Sequence, residues 1–250
     1  MEDTITDFLI LIMMFVQFFL ALILIYKAVK SKIQSIWLLV FHSFVQAIIF
    51  LQLLRTPFLD LGILLSYTAG ISYLLAVFFI HNTFYKGQKR VYPLHVLIII
   101  LSTINTIVSI YDPYPFFQHP VSPHVFVWAN FSLAAIPNYW CAYVILKKYF
   151  AFRDKTIQPW IKMRYLIAGI SHLSWAHLGI GIMVGVYADI LLLFSPIWTA
   201  TTITIFTIGY FIAWVMPEPL KKFFNRKYEH GEEKEMSEEE IMQLIKEESS

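Results

Sequence analysis

Charge is what this sequence most lacks, and its absence is organised. Only 14% of the 250 residues are charged, against 58% hydrophobic, and mean hydropathy is +0.63. A soluble domain carries about a quarter charged residues, so water is not the solvent this composition suits. A single cysteine, Cys141, excludes an intrachain disulfide and reads as a small apolar residue within an apolar stretch. The formal net charge of +2 is the difference between bases gathered in a few short connections and acids gathered at the two ends, so no basic face for nucleic acid is present.

What is there instead is a series of long runs without Asp, Glu, Lys or Arg. Seven are found, over residues 8–26, 36–54, 61–80, 91–110, 125–146, 165–186 and 190–215. Each has the roughly 20 residues that a helix needs to cross about 30 Å of hydrocarbon at 1.5 Å per residue. The expected fold is all-α: a seven-helix membrane domain over 1–216, with a charged cytosolic tail over 217–250.

The connections fix an expected orientation, because lysine and arginine are retained on the cytoplasmic side. Lys27, Lys30 and Lys32 follow the first run; Lys86, Lys89 and Arg90 the third; Lys147, Lys148, Arg153, Lys155, Lys162 and Arg164 the fifth; Lys221, Lys222, Arg226 and Lys227 the seventh. The alternate connections hold Arg55 with Asp60, Asp112 and Asp189. The opening "MEDTITD" is acidic and lacks the basic region of a cleavable signal, so the first run is read as a retained anchor with the N-terminus outside. An odd number of spans then leaves the C-terminus in the cytoplasm of a multi-pass cell-membrane protein.

Proline and glycine punctuate the runs. "YDPYPFFQHPVSPH" from Tyr111 reads as a stiff outer cap, and Pro137 interrupts the hydrogen-bond ladder of the fifth span beside Asn138, Tyr139 and Trp140. Those three residues are the candidate lining of a neutral, aromatic cavity suited to a small uncharged ligand. Gly181 and Gly185 form a GxxxG pair on the sixth span and are expected to pack against a neighbouring helix. In the tail, "SEEEIMQLIKEE" has a capping-box spacing from Ser237 to Glu240 and sets Ile241, Leu244 and Ile245 on one side of a helix. A frayed terminal helix is preferred there over a docking element for a cytosolic partner at 237–248.

Histidine supplies the only side chains inside the runs whose unperturbed titration falls near neutral pH. His172 and His177 are five residues apart, about 140° around a helix, so they cannot chelate one metal from a straight helix, unlike the HExxH spacing. His42, His172 and His81 all fall near the cytoplasmic ends of their spans. Three histidines at one level would suit a haem, a zinc ion or a quinone pocket. Buried structural imidazoles satisfied between helices are the preferred reading, with His42 and Gln46 facing His172. The spans hold no acid, which places a transporter of an uncharged molecule third, behind a receptor-like, sensor or scaffold module and a histidine-based redox or hydrolytic membrane enzyme.

Two seven-helix families resemble this layout. The topology looks like that of microbial rhodopsins, whose retinal is a Schiff base on a lysine of the seventh span; "LLLFSPIWTATTITIFTIGYFIAWV" has no lysine, which excludes that linkage. In setting histidines near one leaflet the chain is similar to the intramembrane hydrolases related to alkaline ceramidases and progestin or adiponectin receptors. Their paired HxxxH and buried aspartate are absent here. No retinal, no nucleic acid and no defined cofactor is therefore expected; the lipid bilayer is the one partner the composition requires.

Overall fold

The computed structural model describes residues 2–53, 62–85, 96–100, 103–104, 123–153, 157–187, 194–226, 240, 241 and 243. Among them the chain is all-helical, with no strand. The elements are α1 (Glu2–Ser31), α2 (Gln34–Leu53), α3 (Gly62–Phe84), α4 (Pro123–Phe152), α5 (Pro159–Tyr187), α6 (Phe194–Val215) and the short α7 (Glu218–Asn225). Most of the expected fourth span, the proline-rich stretch from Tyr111, and Leu244 and Ile245 lie outside the described residues, as do the surroundings of Gly181 and Gly185.

Among the described residues, three helices are long and apolar enough to cross a membrane, over Asp7–Ser31, Gln34–Leu51 and Trp198–Val215. The way α1 distributes its residues explains why such a helix is not amphipathic. One face is buried through Met13, Gln17, Leu20, Leu24 and Ala28; the opposite face exposes Phe8, Ile12, Phe15, Phe19, Leu22 and Tyr26. Both sets recur every three or four residues, and apart from Gln17 both are apolar or aromatic. In water such an outward face would be costly, whereas hydrocarbon receives it without penalty. The same outward apolar surface continues at Trp37, Phe41, Tyr143, Ile205 and Ile208. These observations fit a membrane protein.

Sequential helices are neighbours: α1 packs on α2, α2 on α3, α3 on α4, α4 on α5 and α5 on α6, and α6 returns to α1. Among the described helices these contacts run from α1 through α6 and back to α1, and their inward faces share one core. The turn from α1 to α2 is tight, with Lys32 in the left-handed region (φ 58°) and its amide bonded to Ala28 O at 3.0 Å. Met216 ends α6 in the same manner (φ 44°), its amide 2.7 Å from Ile212 O, and Pro217 prevents the helix from continuing. α4 runs through Pro137 as one helix.

Two glycines give close helix contacts that the sequence pattern did not single out. A Cβ at Gly169 of α5 would collide with the Leu146 side chain of α4, 2.6 Å from its Cγ. One at Gly209 of α6 would strike the Ser171 hydroxyl of α5.

α7 leaves the bundle as an amphipathic turn. Lys221 lies over the Trp160 ring at 4.9 Å and pairs with Glu218 at 2.8 Å, and that hydrogen bond holds the exposed Glu218 carboxyl below its ordinary range. Phe223 is exposed beside the half-buried Phe224. This is the arrangement expected of an interfacial segment.

Candidate functional site: a buried polar centre

His42 and Gln46 are one helical turn apart and share the inward face of α2. Both meet Ser72 of α3. Gln46 Nε2 donates to Ser72 Oγ at 2.7 Å, and His42 Nδ1 lies 3.1 Å from Ser72 O and 3.2 Å from Ser72 Oγ. A carbonyl oxygen only accepts, so the short contact assigns the proton of His42 to Nδ1 and leaves a lone pair on Nε2. That Nε2 is buried and has no protein partner.

His172 repeats the arrangement from the other side of the core. It is 1% exposed, and its Nδ1 lies 3.3 Å from Asn138 Oδ1 of α4. Donation from Nδ1 to that oxygen again leaves Nε2 as the lone pair, buried and without a protein partner. Fixing Nδ1–H on a carbonyl oxygen is how proteins orient an imidazole.

Between the two stands the inward face of α6. His42 and His172 each set their rings 5.5 Å from Tyr210, edge-on, and at 6.5 and 6.3 Å from Phe206. Phe206 and Tyr210 stack on each other at 5.3 Å. The column extends in both directions: Trp175 packs on Phe206 at 4.6 Å with Phe50 behind it, and Trp214 meets Tyr210 at 6.0 Å and Phe79 at 5.0 Å.

Further polar side chains are buried on the inward faces. Gln17 of α1 is fully buried with neither end of its amide bonded to protein, and the same holds for Ser43 Oγ, Gln46 Oε1 and Thr207 Oγ1. Such orphans are costly in an apolar core, each about 1–3 kcal/mol. The centre is neutral and rich in acceptors, with aromatic walls. It can take hydrogen-bond donors or ligate through imidazole. Among the described residues no three His, Cys, Asp or Glu side chains gather into a metal-holding group. A haem or zinc at His42 and His172 would have two imidazoles and no third protein ligand there.

The remaining expected site residues disperse. His177 is half-buried, bonds Leu173 O of its own helix through Nδ1 at 2.8 Å, and faces Tyr139 at 5.4 Å and Trp198 at 6.5 Å. His81, half-buried in the last turn of α3, is nine residues beyond Ser72, or about 14 Å along the axis. Asn138, Tyr139 and Trp140 point three ways, as successive helical residues must: to His172, to His177 and to Tyr85, the last at 6.4 Å. Thr202 bonds back to Trp198 O at 2.9 Å, the use expected of threonines in an apolar helix.

A cleft opens at the end of the bundle where α1, α3 and α6 finish and α2 and α5 begin. Leu24, Lys27, Ile36, Leu39, Phe79, Thr83, Arg164 and Trp214 line it, together with Ile241 of the tail. Its floor is the C-terminus of α6. Lys27 Nζ donates to Trp214 O at 2.8 Å and Arg164 Nε to Ala213 O at 3.1 Å, so two cations cap the negative end of that helix. Arg164 also lies over the Trp214 ring at 5.1 Å. The aromatic column on α6 therefore runs from the histidines to this cleft.

Ser72, Tyr210, Arg164 and Trp214 were not among the expected site residues. A serine in "AGISYLL" or a tyrosine in "TIGYFIAW" has no distinguishing local pattern, and Arg164 reads as a topology-setting base. Their roles depend on which helices touch. Comparisons of the chain with protein-family models, with curated proteins and with solved structures find no match.

Proposed function

We propose that the chain is a receptor-like membrane module of seven spans, N-terminus outside and C-terminus in the cytoplasm, that senses a small uncharged ligand at the His42–His172 centre. The observation that carries this reading is the aromatic column of α6. Phe206 and Tyr210 touch both imidazoles, Trp214 belongs to the same stack, and its carbonyl is held by Lys27 in the cleft that receives the tail. A change at the histidines has a packed, continuous route to the opposite end, and packed aromatic stacks respond by discrete shifts rather than gradual deformation.

The absence of charge at the centre favours sensing over ion-coupled transport, since Gln17, His42, Gln46, Asn138, His172 and Thr207 can all remain neutral. The loop charges support the orientation, with the capped end of α6 and the tail on the basic, cytoplasmic side. The purified protein's absorption spectrum and metal content test the reading against a histidine-based enzyme. A colourless, metal-free preparation is expected. A Soret band or stoichiometric zinc, lost in His42→Leu or His172→Leu, would overturn it.

A further inference from the structure

Ile241 is the one described tail residue that is buried. It is 1% exposed and sits in the cleft with Leu24, Ile36, Leu39, Phe79 and Trp214, while Glu240 and Gln243 on either side of it are exposed. An apolar side chain inserted from a highly charged segment is a peg. The segment's charge also suits the lining: Glu238, Glu239 and Glu240 precede Ile241, and Lys27 and Arg164, which cap α6, line the cleft. The tether permits the visit, since fourteen residues from Arg226 to Glu240 span up to about 48 Å when extended.

We propose that this cleft is a docking site for a short acidic, amphipathic helix, and that the chain's own tail occupies it as a reversible latch with Ile241 as the peg. Seated, Ile241 lies in the cleft with Trp214. Released, it uncovers an apolar cleft lined also by Lys27 and Arg164. The latch goes beyond the sensing proposal and does not depend on whether any ligand reaches the histidines.

A tethered segment competes with a free one at an effective concentration on the order of millimolar, which supplies a direct test. A fluorescent peptide, SEEEIMQLIKEESS, is titrated into the full-length chain and into full-length Ile241→Glu, whose own peg cannot seat. Binding to Ile241→Glu at least about tenfold tighter than to the unaltered chain is expected. Equal binding to both, or binding to neither, would overturn the proposal. A second measurement does not rely on that variant. In a Cys141→Ser chain, Ile241→Cys should react with a maleimide about tenfold more slowly than Gln243→Cys, and excess free peptide should accelerate it by displacing the tail. Equal rates, or no effect of peptide, would contradict a reversible latch.

Discussion

His42 and His172 reach Tyr210 from two different helices, each with its ring centroid 5.5 Å away and edge-on. A single side chain thus holds both imidazoles, and its ring is fully buried. Tyr210→Ala should cost roughly 3–5 kcal/mol, the range for removing a large buried aromatic. Tyr143→Ala, at a site 59% exposed on the outer face of α4, should stay within about 0.5 kcal/mol. Thermal melts in detergent compare the two; equal effects would mean that Tyr210 is not a core keystone.

His172 and Asn138 should behave as a pair. His172→Leu removes the donor at 3.3 Å from Asn138 Oδ1 and should cost roughly 1–3 kcal/mol. Replacing both by leucine should cost less than the sum of the single losses, because joint removal leaves neither member of this contact facing an empty place. His177→Leu should be milder, under about 1 kcal/mol, since its imidazole bonds only a carbonyl of its own helix. A melt series over these variants would show strict additivity if the contact carries no energy.

Gly209 and Ser171 offer a steric counterpart. Gly209→Ala drives a methyl into the Ser171 hydroxyl and should destabilise by about 1–3 kcal/mol. Ser171→Ala removes the obstructing oxygen and leaves Ser171 Cβ 3.6 Å from the new methyl, an ordinary contact. The double variant should recover most of the loss. Failure to recover would place the clash elsewhere.

The proposed orientation makes a prediction of its own. In a Cys141→Ser chain, cysteines at Gly87 and Glu232 should resist an impermeant thiol reagent added to intact cells, and one at Ser122 should react. The reverse pattern would invert the assignment.

How much of this was legible in the sequence follows from what depends on one helix and what depends on two. The apolar runs predict helices at α1, α2, α3, α4, α5 and α6, because length without charge is a property of one segment. The separation of His172 from His177 is equally local: 140° about one axis requires different surroundings, and Asn138 on one side with Tyr139 and Trp198 on the other are those surroundings. Partners across helices are another matter. His172 was expected to face His42 or Gln46, whereas Asn138 takes its Nδ1 and Ser72 takes both α2 groups. Nothing in "HSFVQ" indicates which neighbouring helix brings a hydroxyl. The close approaches are similar: Gly209 matters because Ser171 faces it, a relation no spacing rule within α6 encodes.

Sensing at the histidine centre requires that it be coupled to the tail through α6. Hydrogen exchange of the tail segment 237–250, followed by mass spectrometry in the unaltered chain, in His42→Leu, in His172→Leu and in the outward control Tyr143→Leu, measures that coupling. Several-fold faster exchange around Ile241 is expected in both histidine variants, with no acceleration in the control. Identical exchange in all four chains would contradict it.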